Sequence, residues 1–224
     1  MKLLFEGQVL DIVRSDNGIV FPYAVEQVGD QTRVAFIMYQ SENGKTTNVA
    51  KHIYLLSKFG PDHKAFCLQS DNYVSSKVVI FPGEQMLIAE ENGDIKILDT
   101  DASYLYYGKL FYGGEIPSAV ALHEDKIWCA FRDKNLLVRY NVNTMREELR
   151  IGGGENSPFL APTDIFVEYD NAYISNKGSN TIVKLNLTNY SIETYKELIV
   201  SPKKFLKVGR NEFVLSQEGV YIIK

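Results

Sequence analysis

The sequence predicts an all-β fold, a five-bladed β-propeller built from four-stranded antiparallel blades. A unit of two short apolar runs separated by a turn recurs five times, with starts 40 to 54 residues apart. Repeats of that length made of short strands are typical of propeller blades. Aromatic strand formers are abundant, and no long segment has helical apolar spacing. The repeats start near Pro22, Ser76, Pro117, Pro162 and Pro202.

The fifth repeat is divided between the two ends of the sequence. It starts at Pro202, but the sequence stops at Lys224, half a repeat later, while residues 1–21 have no repeat of their own. A ring of blades has to close, because an open end leaves an unpaired sheet edge. We therefore expect residues 1–21 to complete the last blade, with Met1 to about Leu10 as its outer strand.

The closed ring has two alternatives, an open array and a β-sandwich. An open array needs polar end repeats, whereas Leu3-Leu4-Phe5 and Val220-Tyr221-Ile222-Ile223 are apolar. This favours a closed ring, and residues 1–224 are expected to form a single domain.

The third repeat shows the expected blade most clearly. Its strands are predicted over 117–122, 126–131, 136–141 and 145–151, with charged residues on the outer strand that protect the exposed edge. The first repeat departs from this pattern. Its second strand is longer, from Arg33 to about Gln40, and Ala65–Leu68 is the best candidate for its outer strand.

Composition and charge restrict the partners. The formal net charge is −4 and the pI is about 5.5, which disfavours a nucleic-acid ligand because such ligands need a basic surface. Two cysteines do not make a disulfide framework, and no segment is long enough to span a membrane. We expect a monomer in the cytoplasm without cofactor or metal. A secreted domain is the alternative.

One segment resembles a known family of repeats. Residues 172–186, Ala-Tyr-Ile-Ser-Asn-Lys-Gly-Ser-Asn-Thr-Ile-Val-Lys-Leu-Asn, look like the YVTN-type repeat, in which an Asn-x-Gly-Ser-Asn-Thr turn joins two strands. Gly114-Glu115-Ile116-Pro117 resembles the segment that leads into the inner strand of YVTN and related NHL blades. The resemblance implies a propeller. It implies no particular activity, because such propellers serve as scaffolds, ligand binders and occasional lyases.

The loops between second and third strands share one end of the blades with the linkers that join successive blades. These loops surround the channel mouth of a propeller, and their segments contain ten acidic and six basic residues, which disfavours a polyanionic partner. We expect non-catalytic binding of a protein or small ligand there. The candidate contacts end or follow the second strands: Tyr39, Glu90, Arg132, Asn176 and Gln217.

A hydrolase or lyase with a divalent ion in the channel mouth is the first alternative function. Only Asp164, Glu115 and Glu155 are plausible catalytic acids, and His52, His63 and His123 are not expected to meet. The second alternative is a glycan-binding lectin that uses repeated aromatic and asparagine-rich turns. The loops differ from blade to blade, which favours one asymmetric site or none. The scarcity of candidate catalytic residues disfavours an enzyme, which stays open as the alternative.

Overall fold

The computed structural model describes residues 1–7, 9, 11–15, 18–28, 31–40, 43–48, 54–56, 76–80, 86–90, 94–98, 104–197 and 199–223. Over these residues the fold is all β, and none of them lies in a helix. The described part accordingly contains no helix long and apolar enough to cross a membrane. The candidate outer strand Ala65–Leu68 lies outside the described residues.

The strands follow one another along the chain with short connections. In order they are β1 (Lys2–Glu6), β2 (Val13–Ser15), β3 (Gly18–Val28), β4 (Gln31–Gln40), β5 (Lys45–Asn48), β6 (Tyr54–Leu56), β7 (Ser76–Ile80), β8 (Met86–Glu90), β9 (Asp94–Leu98), β10 (Tyr104–Lys109), β11 (Ala119–His123), β12 (Lys126–Phe131), β13 (Leu136–Asn141), β14 (Glu147–Gly152), β15 (Pro162–Glu168), β16 (Asn171–Asn176), β17 (Thr181–Asn186), β18 (Ile192–Lys196), β19 (Lys204–Val208), β20 (Asn211–Leu215) and β21 (Gly219–Ile223).

These strands form antiparallel sheets that follow the predicted repeats. Sheet I contains β2–β6, sheet II β7–β10, sheet III β11–β14 and sheet IV β15–β18, while sheet V has the order β1-β21-β20-β19. The chain divides into two compact units, Met1–Ser75 with Lys204–Lys224 and Ser76–Lys203. Sheets I and V belong to the first unit, and sheets II, III and IV belong to the second.

Sheet III confirms the blade pattern expected for the third repeat. β12 and β13 have the predicted bounds. These bounds were predictable because alternating apolar residues and turn residues are local signals in the sequence. β11 begins two residues after Pro117, and β14 begins two residues later than the predicted outer strand and ends one residue later. Glu147 and Glu148 of β14 are exposed, as the expected solvated edge requires.

Sheet I differs from expectation at its beginning. β3 starts at Gly18 rather than at Pro22, and β2 pairs with it so that Arg14 lies opposite Ile19. Ile19 and Phe21 are both fully buried. Buried residues two positions apart are expected in a strand that has one face in the core. β2 and the start of β3 thus belong to sheet I, whereas residues 1–21 were expected to complete the last blade. Among the described residues before β2, only the strand β1 belongs to sheet V.

β1 is the fourth strand of sheet V, as the divided fifth repeat predicts. It pairs antiparallel with β21, with Leu3 opposite Tyr221 and Phe5 opposite Val220. The ring of Phe5 lies 4.8 Å from that of Tyr23, which anchors β1 to sheet I. Backbone pairing and ring packing together hold the N-terminal strand in place.

The core of the unit Ser76–Lys203 lies between neighbouring sheets. On β12, Cys129 and Phe131 belong to a cluster that includes Ile95 of sheet II, while Trp128 belongs to a cluster that includes Ile174 of sheet IV. β12 is therefore buried on both faces, and each face packs against a different sheet. Cys129 is fully buried and acts as a small apolar side chain.

We expect Gly219→Ala to destabilise the protein strongly. A Cβ at Gly219 would lie 2.0 Å from the carbonyl oxygen of Phe5, so β1 would have to move away from β21. Forcing apart packed elements costs about 1–3 kcal/mol, and the left-handed backbone at Gly219 adds to that cost. Urea denaturation should show a free energy of unfolding lower by at least about 2 kcal/mol.

Gly209→Ala is the matched control for that variant. Gly209 also has a positive φ, of 58°, but a Cβ there would meet no atom within 4 Å. Its expected cost is only the backbone penalty of about 1 kcal/mol. Equal losses for the two variants would contradict a tight β1–β21 contact.

Candidate functional site

Two asparagines tie the loops of sheets III and IV to the linkers that follow them. Asn135 precedes β13 and Asn180 precedes β17, each eighteen positions after the proline that starts its repeat. Asn135 Oδ1 accepts a hydrogen bond from the N–H of Ala161 at 2.8 Å, and Asn180 Oδ1 accepts one from Ser201 at 2.8 Å. All four residues have positive φ angles, which asparagine tolerates better than most residues.

The main-chain oxygens of the same asparagines hold the other end of each linker. Gly153 N–H donates to the carbonyl of Asn135 at 2.9 Å, and Ile199 N–H donates to that of Asn180 at 3.0 Å. Each asparagine therefore receives two backbone hydrogen bonds from its linker. The same local geometry thus recurs at the loop ends of two neighbouring sheets.

Hydroxyl groups at the starts of the inner strands link one repeat to the next. Ser118 Oγ lies 3.1 Å from the carbonyl oxygen of Ala130 in its own sheet and 2.8 Å from that of Pro162 in the next repeat. Thr163 Oγ1 repeats this with the carbonyls of Ser175 at 3.2 Å and Pro202 at 3.0 Å. Each hydroxyl has one hydrogen and donates to one carbonyl at a time.

Sheet V replaces the asparagine with Glu218. The carbonyl of Glu218 still accepts a hydrogen bond from a linker-like N–H, that of Gly7 at 3.2 Å. Its side chain turns elsewhere, because Glu218 Oε2 accepts a hydrogen bond from the Tyr221 hydroxyl at 2.7 Å. This bond raises the pKa of Tyr221 above its usual range, since it stabilises the protonated phenol.

Asn176 is almost completely buried, although the sequence suggested it as a ligand contact. Its Oδ1 accepts a hydrogen bond from Leu160 N–H at 2.9 Å, and its Nδ2 donates to the carbonyl of Pro158 at 3.1 Å. Both ends of the amide are thus engaged by the linker before sheet IV. The contacts give Asn176 a positioning role beneath the loop surface.

The other four suggested contacts lie in different environments. Arg132 is exposed, with Nε 3.3 Å from Asp133 Oδ1, and Gln217 is exposed between β20 and β21. Tyr39 is buried, and its ring meets that of Phe213 edge-on at 5.7 Å. Glu90 is the last residue of β8. Arg132 and Gln217 therefore have the exposure that a ligand contact needs, whereas Tyr39 packs in the core.

The three suggested acids do not share one setting. Glu115 Oε1 accepts a hydrogen bond from Asp133 N–H at 2.9 Å, which ties the linker before sheet III to the loop after β12. Glu155 is exposed in the linker before sheet IV. Asp164 is half-buried on β15 opposite Ser175. Glu115 thus has a structural contact of its own.

The described residues contain no group of three or more His, Cys, Asp or Glu side chains placed to hold a metal ion. His123 Nε2 lies 3.4 Å from Asp170 Oδ1, at the opposite end of the strands from Asn135 and Asn180. His52 and His63 lie outside the described residues.

Solved structures of propeller-type proteins resemble the chain over almost its full length. A structure of U3-55K has a TM-score of 0.54 at 13% identity and covers 99% of this chain and 63% of its own. Sqt1 from Saccharomyces cerevisiae has a TM-score of 0.55 at 8% identity, covering 96% and 71%. A streptogramin B lyase has a TM-score of 0.51 at 14% identity, covering 96% and 92%.

These likenesses show that the chain has a propeller-type fold. At such identities they show nothing about activity, and the chain spans less than two thirds of the U3-55K structure. No protein-family model and no curated protein matches the sequence.

We expect Asn176→Ala to lower stability by about 1–3 kcal/mol. The change removes the hydrogen bonds to the Leu160 N–H and the Pro158 carbonyl, which are partly buried, and each such bond contributes about 0.5–1.5 kcal/mol. Chemical denaturation measures the loss. Asn143→Ala is the control, because Asn143 is exposed in a turn of sheet III and should change stability by less than about 0.5 kcal/mol. A neutral Asn176→Ala variant would contradict the positioning role.

Proposed function

We propose that the chain is a non-catalytic propeller that binds a protein or small ligand at the loop end of its blades, around the mouth of a central channel. The proposal includes five blades in one domain, residues 1–224, with the pairing of β1 and β21 closing the ring. A monomeric state and a cytoplasmic location are part of the same proposal. Neither a cofactor nor a metal is required for it.

The observation that carries the proposal is that the loops of sheets III and IV share the same backbone hydrogen bonds but have different side chains. Asn135 and Asn180 hold their linkers in the same way. The loops they end are Arg132-Asp133-Lys134-Asn135 and Lys177-Gly178-Ser179-Asn180, which share only the asparagine. A rigid frame with variable side chains suits one asymmetric binding surface, and it disfavours the repeated sites of a lectin.

The structural likenesses support a protein partner. U3-55K, Sqt1 and the WD40 repeats of RRP9 are similar in fold to the chain, and such propellers commonly act as protein-interaction scaffolds. A polyanionic partner is disfavoured, because the segments expected at the loop end contain ten acidic and only six basic residues.

The test combines a pull-down with variants at the two exposed candidate contacts. We expect Arg132→Glu together with Gln217→Ala to reduce capture of a specific partner by at least about tenfold, since each removes a rim contact, while the melting temperature stays within about 2 °C. The control is Arg146→Ala, which removes an exposed arginine just before the outer strand of sheet III. Equal capture by the wild-type protein, the double variant and the Arg146→Ala control would contradict binding at the loop end.

A thermal-shift series with divalent metals, with and without EDTA, distinguishes the enzyme alternative from the binding proposal. A ligand that binds only the folded state raises stability by about 2.7 kcal/mol at a hundred times its Kd. A metal-dependent shift that Asp164→Ala abolishes would replace the binding proposal with a hydrolase or lyase. We expect no such shift.

A further inference from the structure

We propose that Leu160 and Val200 are paired anchors for an extended polypeptide segment of a partner protein, and that Lys177 binds a carboxylate of that segment. This inference rests on the proposed function and deepens it. It assigns the partner to one part of the loop end, the linkers on either side of the loop Lys177–Asn180.

The two aliphatic side chains occupy equivalent positions. Leu160 is 47% exposed and Val200 is 50% exposed. Each directly precedes a residue with a left-handed backbone, Ala161 or Ser201, whose N–H is bound by an asparagine of the preceding loop. One exposed aliphatic residue is ordinary on a protein surface. Two in the same held geometry on neighbouring linkers form a repeated feature.

The exposure of Leu160 is built into the fold. Its N–H donates to Asn176 and its carbonyl accepts a hydrogen bond from Gly178 N–H at 2.8 Å. A Cβ on Gly178 would lie 2.7 Å from Leu160 Cγ, so the neighbouring loop passes close to Leu160 with no side chain to cover it. Because the backbone is already fixed, a partner that covers Leu160 orders little new structure on binding.

Val200 is fixed on both sides. Ile199 N–H donates to the carbonyl of Asn180, and Ser201 N–H donates to its side-chain oxygen. Ile199 itself is buried, so Val200 has no freedom to turn inward without displacing it. The loop Lys177–Asn180 therefore contacts both linkers, Leu160 through Gly178 and Ser201 through Asn180.

Lys177 supplies a positive charge next to the first anchor, Leu160. Its N–H donates to the carbonyl of Ala161 at 3.2 Å, which places it next to Leu160. No carboxylate within the described residues pairs with its ammonium, whereas Arg132 at the corresponding position of sheet III is paired with Asp133. The carboxylates Glu155 and Glu197 lie earlier in the same linkers, so a strongly acidic segment would be repelled.

These features select the chemistry of the partner. Two aliphatic anchors bind apolar side chains, and the lysine beside them binds one acidic side chain, so the segment carries an acidic residue between apolar ones. Sugars and bases bind preferentially by stacking on aromatic rings, and neither anchor is aromatic. The occupant is therefore a polypeptide.

The test selects peptides on the intact protein. A phage library of random peptides is panned on the immobilised chain, and we expect enriched sequences with one Asp or Glu flanked by Leu, Ile, Val or Phe. The affinity of a synthetic enriched peptide is then measured by fluorescence anisotropy. Leu160→Ser with Val200→Ser should weaken binding by about ten- to a hundredfold, as expected for the loss of buried aliphatic contacts.

A charge exchange tests the role of Lys177. Lys177→Glu should weaken the same peptide by about tenfold, and replacing the acidic residue of the peptide by lysine should restore its affinity for that variant. Tyr169→Ser is the matched control, because it removes a more exposed side chain, 86% exposed, at the other end of the strands and should leave binding unchanged. The melting temperature of each variant verifies that it is folded.

The outcomes separate this inference from the function on which it rests. Enriched peptides that bind the Leu160→Ser, Val200→Ser variant normally but lose binding with Arg132→Glu and Gln217→Ala would overturn the anchor pair and leave a loop-end site in place. A library with no enriched sequence would also overturn the anchor pair, while the pull-down with Arg132 and Gln217 variants decides the broader proposal independently.

Discussion

The loop end of sheets III and IV depends on one interaction, the hydrogen bond from a linker N–H to an asparagine side chain. Ala161 and Ser201 have left-handed backbones, so their N–H groups do not point along a strand ladder. Asn135 and Asn180 supply the missing acceptors. A hydrogen bond of this kind contributes about 0.5–1.5 kcal/mol net, so the two asparagines stabilise the sharp entry into the next repeat.

Other contacts reinforce this interaction. The hydroxyls of Ser118 and Thr163 reach the carbonyls of Pro162 and Pro202, which fixes the first residue of the next repeat. Asn176 holds the linker before sheet IV at Leu160 and Pro158. Because linkers, loops and inner strands are bonded to one another, the surface side chains at this end are presented by a rigid backbone. That rigidity is what makes specific recognition there physically reasonable.

The blade pattern could be predicted from the sequence because its signals are local. β12 and β13 have the expected bounds, and they consist of alternating residues between turn signals. The pairing of β1 with β21 is a long-range contact, and it followed from the division of the fifth repeat. The pairing of β2 with β3 was missed because Arg14, Ser15 and Gly18 are polar or glycine residues that are also typical of loops.

The candidate site was less predictable. Position along a strand identified Asn176 and Tyr39 as residues near the loop end, but only non-local contacts turn both inward. The asparagines at Asn135 and Asn180 had a detectable signal, the same offset from the start of each repeat. The exposure of Leu160 had none, since an aliphatic residue in a linker is indistinguishable in sequence from a buried one until its neighbour Gly178 is placed.

The pairing of β1 with β21 joins two strands that are made at very different times during translation. Lys2–Glu6 is synthesised long before its partner Gly219–Ile223, so Leu3 and Phe5 have no partner strand while the intervening sheets are made. An apolar strand without a partner is a site for mispairing with other chains. A nascent chain is thus vulnerable to mispairing through β1 until β21 has been synthesised.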